Sequence, residues 1–339
     1  MKRWLGLAMG IALFLAGPLK AGPADRVVVL CSVDPVWCEL IKTEYTRQTG
    51  VQLEHLRLSS GEALARFRAE QQRPAFDVWY GATGDLHFVA SNEGLTEFYR
   101  PKAWKDLRPE LTRVTDGKYI PLYTGLHGVA VNDALLTEKG LPAPERWTDL
   151  AKPAYRNLVA TPNPNTSGTG YLLMTTLITI YGEERAFDLL KQIHRNIAQY
   201  TRSGGAPSLL TARGEVAVGV SFAGDVLVHR VKGFRIRFLA PQDGAAFEIG
   251  GLSLVRGGPN RENAIRFIDW ALTPEAQSLN IKAGVSFDIP SNSTVSVPIF
   301  VPKVEDARLI RYDFLRFGSS ELRERLVRRW DREVFTLPK

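Results

Sequence analysis

Apolar and polar positions follow one another along the first part of the chain in a repeated strand, turn and helix order. Residues 27–30 form a continuous apolar run, which favours a strand covered on both faces, and residues 35–50 carry apolar side chains at helical spacing. Residues 51–58 and 76–80 are two further strands, each followed by a hydroxyl-rich turn and a helix. This alternation predicts an α/β domain with a mostly parallel sheet, in which ligands bind at the carboxyl ends of the strands.

A second α/β unit follows with the same pattern. Its predicted strands are residues 158–161, 216–222 and 234–239. Two long extended segments, residues 119–132 and 247–255, have no helical period and flank this unit, so we expect them to cross between two halves of the molecule. The predicted fold is therefore α/β, with two doubly wound lobes joined by two extended crossover strands.

The predicted boundaries follow from these two crossings. Lobe 1 comprises residues 22–124 and 253–310, lobe 2 comprises residues 125–252, and residues 311–339 are C-terminal helices that pack on the lobes. Residues 1–21 have the basic start, apolar segment and small-residue end of a secretory signal peptide. We therefore expect an exported protein that works in the periplasm after the signal peptide is removed.

Size and charge limit the possible partners. A chain of 339 residues with 45% apolar content can bury two cores of ordinary size. Loss of Lys2, Arg3 and Lys20 with the signal peptide lowers the formal net charge from +7 to +4, which is modest for this length. Many basic residues lie between positions 308 and 332, interleaved with acidic ones as on a solvated helix face. We expect no nucleic-acid partner and a monomeric protein.

The sequence contains two cysteines, Cys31 and Cys38. In an oxidising compartment, a pair at the end of a strand and the start of a helix can close a small loop, so we expect a disulfide between them. Two cysteines do not make a metal framework. We predict neither a metal site nor a cofactor.

The segment Thr161 to Tyr171 (TPNPNTSGTGY) carries the first candidate binding site. Its prolines and asparagines stop regular structure, so that Ser167, Gly168 and Thr169 stand at the start of an apolar helix. The first N–H groups of a helix have no intrahelical partner and its dipole is positive there, which favours a phosphate or a carboxylate. Taken alone, the segment is also compatible with an ordinary capped helix.

Four other turns share this chemistry and strengthen the binding interpretation. They lie after predicted strands in both lobes, so they would form the two walls of one cleft. Such a cleft suits a small anionic solute that is held by hydrogen bonds and enclosed by hinge closure. The candidate ligand-binding residues of the five turns are Ser32, Ser60, Thr83, Gly84, Ser167, Gly168, Thr169, Ser203 and Gly204.

Catalytic motifs are missing from the sequence. There is no GxSxG, no HExxH and no pair of metal ligands at a catalytic spacing. The candidate serines lie at helix starts, where they donate hydrogen bonds without a neighbouring base. We therefore expect a binding protein and not an enzyme.

The chain resembles the type II periplasmic solute-binding proteins of ABC importers, in the branch that contains ferric-ion, aminoethylphosphonate and hexose-phosphate binders. The likeness extends from about residue 26 to residue 335 and implies delivery of the solute to an ABC permease in the inner membrane. The segments that carry it are SSGEA (59–63), FDVWYGATGD (76–85), NPNTSGTGY (163–171), QYTRSGGAP (199–207), EIGG (248–251) and WALTPEAQ (270–277).

Resemblance to the hexose-phosphate binders implies that serines, threonines and backbone N–H groups hold phosphate while a His-Asp pair and a Glu hold sugar hydroxyls. Asp225 matches that Asp and Glu248 matches that Glu, but Gly224 stands in place of the His. One sugar contact is therefore absent, and a different sugar phosphate, a phosphonate or a bulkier phosphorylated solute is expected. Asp225 could instead cap a helix, and Glu248 could instead form a hinge salt bridge.

Two alternative functions stay open on the sequence. Ferric sites in this family usually need adjacent tyrosines, and the chain has no Tyr-Tyr pair. A ferric-ion-binding protein is therefore the less favoured alternative. A solute sensor for a signalling receptor would have the same fold and cleft.

Overall fold

The computed structural model describes residues 25–339, so the predicted signal peptide (residues 1–21) lies outside the described residues. Strands and helices alternate through most of this range. The strands are β1 (Arg26–Ser32), β2 (Gln52–Arg57), β3 (Val78–Gly81), β4 (Thr96–Glu97), β5 (Ile120–Asn132), β6 (Val159–Pro162), β7 (Ile197–Thr201), β8 (Val218–Phe222), β9 (Ile236–Leu239), β10 (Phe247–Val255) and β11 (Ile289–Pro290).

The helices lie between these strands and at the C-terminus. They are α1 (Pro35–Thr49), α2 (Ser60–Ala69), α3 (Gly84–Asn92), α4 (Pro109–Thr115), α5 (Asp133–Glu138), α6 (Gly168–Tyr181), α7 (Glu183–His194), α8 (Ala206–Ala212), α9 (Ala223–Val231), α10 (Arg261–Ala271), α11 (Pro274–Ala283), α12 (Phe314–Phe317) and α13 (Ser320–Trp330). A π-helical turn, Asp331–Phe335, follows α13. Among the described residues, no helix is long and apolar enough to cross a membrane.

The strands run in the order β2-β1-β3-β10-β5-β8-β6-β7, with β4 beside β10 and with β9 and β11 beside β5. Strand β1 pairs in parallel with β2 and β3, within predicted lobe 1, and β6 pairs in parallel with β7 and β8, within predicted lobe 2. Strands β5 and β10 pair with each other in the antiparallel direction and connect the two parallel groups. The predicted α/β fold with two lobes and two extended crossover strands is confirmed.

Glycines at the centre of β10 are explained by close packing. A Cβ on Gly250 would lie 2.5 Å from Tyr123 Cε1, and one on Gly251 would lie 2.6 Å from His87 Cγ. The register between β10 and β5 shifts at these two residues. The EIGG segment therefore needs glycine because aromatic side chains lie directly against the strand.

Each parallel group has its own core. Trp37, Tyr45 and Phe267 are buried in the first, beside β1 and β3, and Trp147 and Phe187 are buried in the second, beside β6 and β8. These two cores agree with the two lobes expected from chain length.

The last residues of the chain contact both lobes. Phe317 and Trp330 pack into the core around Trp147, whereas Phe314 packs beside Phe88 of α3. The buried Arg323 forms an ion pair with Asp85 of α3, and it also donates a hydrogen bond to the Pro164 carbonyl before α6. Residues 311–339 thus bridge α3 and the segment before α6.

The segment before these helices packs against helix α9 of predicted lobe 2. Phe287 and Val301 form a small cluster with Leu227 and Val228. The lobe boundaries at residues 124, 252 and 310 stay predictions.

Candidate ligand-binding site

A cavity lies between the two parallel groups of strands, at the carboxyl ends of β1, β3, β6 and β8. Most of the residues that the sequence singles out line it. They are Ser32, Ser60, Thr83, Ser167, Thr169, Ser203, Gly204, Asp225 and Glu248. The turns are therefore brought together from distant parts of the chain, and their contact with a ligand remains a prediction.

Gly84 and Gly168 lie behind this lining and have a steric role. A Cβ on Gly84 would lie 2.8 Å from the Ile249 carbonyl oxygen, with the Tyr119 hydroxyl closer still. A Cβ on Gly168 would lie 2.7 Å from both Cβ and Cγ2 of Thr83, with Oγ1 closer still. Glycine at position 168 thus lets α6 approach the start of α3 across the cavity.

One wall of the cavity is rich in unused hydrogen-bond donors. Among residues 25–339, the hydroxyl of Thr83 is buried without a hydrogen-bond partner. Ser167 occupies the N-cap position of α6, yet its side chain makes no capping hydrogen bond. Ser60, Thr169 and Ser203 also line the cavity. These groups come from both lobes and are available to an acceptor on a ligand.

The start of α6 adds backbone donors to this wall. Within the described part of the chain, the N–H groups of Gly168, Thr169 and Gly170 make no backbone hydrogen bond. A free first turn with a positive helix dipole favours an anion.

A basic side chain completes the same wall. Arg57 lies at the end of β2 and lines the cavity. Its Nε donates to the Val33 carbonyl at 3.1 Å and its Nη1 lies 3.3 Å from Ser59 Oγ. Sequence reasoning missed Arg57 because it belongs to the alternating polar positions of a strand, which normally face solvent.

Four carboxylates lie at the other end of the cavity, those of Asp34, Asp225, Glu248 and Asp288. Asp225 Oδ2 accepts a hydrogen bond from the Ser221 hydroxyl at 2.8 Å, and Asp225 lies in the first turn of α9 rather than at its N-cap. One oxygen of Glu248, Oε2, is buried without a partner among the described residues. This atom therefore does not form the hinge salt bridge that the sequence left open as an alternative.

Sequence reasoning missed two of these carboxylates. Asp34 precedes Pro35 and therefore resembles a helix cap, but its side chain makes no capping hydrogen bond to α1. Asp288 lies in the apolar segment between α11 and β11 and has no turn signature around it. The absence of a capping hydrogen bond from the Asp34 side chain points to a binding role only when the position of the cavity is known.

Burial and mutual repulsion perturb the acidic end. Burial raises the pKa of Asp225 and of Glu248 well above its usual range, and neighbouring carboxylates raise it further. Burial likewise raises the pKa of Asp288 to about 7. The pKa of Asp34 is raised by burial despite the opposing charges of Arg57 and Lys232. Groups that donate hydrogen bonds or carry positive charge would relieve this repulsion.

The rim of the cavity is closed by contacts between the lobes. The Gly61 N–H donates to the Thr166 carbonyl at 2.9 Å. Beside it, the exposed Arg202 forms an ion pair with Glu62 of α2. Surface ion pairs contribute little stability, so the backbone hydrogen bond and the close packing of Gly168 define this contact more strongly.

The predicted disulfide between Cys31 and Cys38 is present. It closes the loop that contains Ser32, Val33 and Asp34, all of which line the cavity. The bond therefore restrains one edge of the site.

Comparison with known proteins defines the family. The model of the bacterial extracellular solute-binding proteins matches residues 73–317, and the chain belongs to this family. A Haemophilus influenzae protein of uncharacterised function is 35% identical over 337 residues, which cover 97% of each chain. The family description agrees with the predicted export of the protein.

Two further relatives have names that specify a ligand. The periplasmic binding protein AfuA from Actinobacillus pleuropneumoniae, solved with exogenous fructose 6-phosphate, has a TM-score of 0.88 and 33% identity, over 92% of this chain and 99% of that chain. A proposed 2-aminoethylphosphonate-binding periplasmic protein of Salmonella typhi is 24% identical over 303 residues, covering 84% of this chain and 86% of the relative. The names of these two solute-binding relatives therefore specify different ligands.

Proposed function

We propose that the protein is the periplasmic substrate-binding component of an ABC importer for a small anionic solute that carries a phosphate or phosphonate group. It captures this solute by closure of its two lobes and delivers it to an inner-membrane permease. The observation that carries the proposal is the wall of unpaired donors, to which both lobes contribute.

Phosphate fits this wall because its oxygens accept several hydrogen bonds at once. Thr83 reaches the cavity from one lobe, while Ser167, Thr169 and the free N–H groups of α6 reach it from the other. A ligand held by both sets would stabilise the closed arrangement. Arg57 would add a charge-assisted hydrogen bond, which is stronger than a neutral one.

Asp225 and Glu248 would hold the rest of the solute. Carboxylates accept hydrogen bonds from hydroxyls, which suits the polyol part of a sugar phosphate. AfuA, the relative solved with fructose 6-phosphate, supports this class of ligand for the present chain.

The hydroxyl wall favours a phosphorylated solute over a polyamine. A polyamine would use the carboxylates but would leave the hydroxyls and the start of α6 without an acceptor. The two ends of the cavity together therefore favour an anion with a second polar group.

The test is a thermal-shift and calorimetric panel on the mature protein, unfolded and refolded to remove any ligand that copurifies. Sugar phosphates and phosphonates should raise the unfolding temperature, since a ligand at 100 times its Kd stabilises the folded state by about 2.7 kcal/mol. Stabilisation by Fe(III) alone, with no response to any phosphorylated compound, would contradict the proposal.

A further inference from the structure

The acidic end of the cavity contains more acidic side chains than a neutral polyol requires. Among the residues that line the cavity, Asp34, Asp225, Glu248 and Asp288 are acidic and Arg57 alone is basic. Burial and mutual repulsion raise the pKa of these carboxyl groups, so without a partner they tend to keep their protons. A positive charge on the solute at this end would let them ionise and pair with it.

Asp288 enters the cavity through a niche made by two glycines. A Cβ on Gly125 would lie 2.6 Å from Asp288 Oδ1. A Cβ on Gly224 would lie 2.8 Å from Asp288 Cγ, with Oδ1 closer still. Any side chain at either position would therefore displace the carboxylate. Glycine at these two positions, on β5 and α9, is what admits Asp288.

The Asp288 carboxylate is held in place from one side only. Its Oδ2 accepts a hydrogen bond from the Ser286 hydroxyl at 3.1 Å. Its Oδ1 is buried and has no hydrogen-bond partner among the described residues. Oδ2 thus holds the Asp288 carboxylate in position, while Oδ1 is free to accept a hydrogen bond from a ligand.

Glu248 provides a second, independent unpartnered acceptor. Its side chain lines the cavity, the residue is 4% exposed, and its Oε2 has no partner within residues 25–339. Asp34 and Asp225 converge nearby, because a Cβ on Gly205 would lie 3.1 Å from Asp34 Oδ1 and 3.4 Å from Asp225 Oδ1. Two unpartnered oxygens, Glu248 Oε2 and Asp288 Oδ1, therefore share one cavity with two further acidic side chains.

We infer that this end of the cavity binds a protonated amine of the solute, and that Asp288 is the residue that selects for it. The ligand is then an amine-bearing phosphate ester or phosphonate, with its phosphorus group on the hydroxyl wall and its ammonium group among the carboxylates. This inference rests on the proposed function. An ammonium group donates three hydrogen bonds and offsets the negative charge, whereas a hydroxyl donates one and offsets none.

The experiment compares matched pairs of compounds by isothermal titration calorimetry of the refolded mature protein. The pairs are glucosamine 6-phosphate with glucose 6-phosphate, and 2-aminoethylphosphonate with ethylphosphonate. In at least one pair, the amine-bearing member should bind on the order of tenfold more tightly, because a charge-assisted hydrogen bond is about twice as strong as a neutral one.

Two variants test the role of Asp288. Asp288→Asn keeps the shape of the side chain, and Gly224→Ala places a methyl group where the carboxylate now lies. Each should reduce the preference within the pair to about threefold or less, because the amine-bearing member loses more affinity than the amine-free member. Asp188→Asn, which changes an exposed carboxylate on α7, is the matched control and should keep the full preference.

The outcomes separate this inference from the proposed function. Equal affinities within both pairs would overturn the amine site and leave a phosphate-binding protein. A full preference in both Asp288→Asn and Gly224→Ala would overturn the role of Asp288. Binding of spermidine or ethanolamine as tightly as the phosphorylated amines, or no binding of any phosphorylated compound, would overturn the proposed function together with the inference.

Discussion

Substitution of Gly168 by alanine should prevent closure of the lobes without disturbing either lobe. The added methyl carbon would lie 2.7 Å from Thr83 Cβ and Cγ2, well inside normal contact distance, and Thr83 belongs to the other predicted lobe. In the open form that the proposed hinge closure implies, the two residues would separate and the added methyl group would have nothing to clash with. The whole effect should therefore appear in ligand binding.

The size of this effect follows from the cost of overpacking. An added methyl group in a close-packed contact costs about 1–3 kcal/mol. At 1.4 kcal/mol for each tenfold change, the Kd for a bound sugar phosphate such as fructose 6-phosphate should rise roughly 5- to 150-fold. Calorimetry measures this change, and small-angle scattering should show that the variant contracts less than the wild type when ligand is added.

Gly170→Ala is the matched control in the same helix turn. Its methyl carbon would lie 2.9 Å from the carbonyl carbon of Pro162 and from that of Asn163, within one lobe. It should therefore lower the free energy of unfolding without ligand, whereas Gly168→Ala should not. Unchanged affinity in Gly168→Ala, or a loss of ligand-free stability equal to that of Gly170→Ala, would refute the steric reasoning.

Three other perturbations have defined outcomes. Replacing Cys31 and Cys38 by serine should lower the free energy of unfolding in urea by about 2 kcal/mol and weaken ligand binding, since Asp34 lies within the closed loop. Burial lowers the pKa of His127 to about 3 from 6.5, so below pH 6.5 acid protonates this histidine in the unfolded state but not in the folded state, and the folded state loses stability. Between pH 7 and pH 5 this effect should lower the free energy of unfolding of the wild type by about 2 kcal/mol in urea, whereas His127→Phe should not show this loss. Asp225→Ala should weaken a sugar phosphate more than inorganic phosphate in calorimetry, and equal losses would remove its proposed sugar contact.

Local sequence signals were sufficient for the hydroxyl wall. Ser167 and Thr169 are recognisable because prolines and asparagines stop the chain and glycines precede an apolar helix. Ser60 and Thr83 follow short strands in the same way. Each of these signals lies within a few residues of the side chain that it identifies, so no tertiary information was needed.

The acidic end depends on contacts that no local pattern reveals. Asp288 is explained by Gly125 and Gly224, which are distant from it in sequence. The resemblance indicated that Gly224 replaces the histidine of the hexose-phosphate binders. Nothing in the sequence indicated that the side chain of Asp288 would lie against this glycine. Arg57 was overlooked for a related reason, because its place at the cavity depends on hydrogen bonds to the Val33 carbonyl and the Ser59 hydroxyl, which the strand pattern does not reveal.

Native mass spectrometry of the protein, purified from its producing cells without unfolding, tests the central claim most directly. The account predicts that a small molecule is released from the folded protein and that its fragments include a phosphate or phosphonate ion. Thr169→Ala combined with Ser167→Ala should reduce the bound fraction, because these hydroxyls belong to the proposed phosphate wall. Release of iron or of a phosphorus-free polyamine in place of such a molecule would contradict the account.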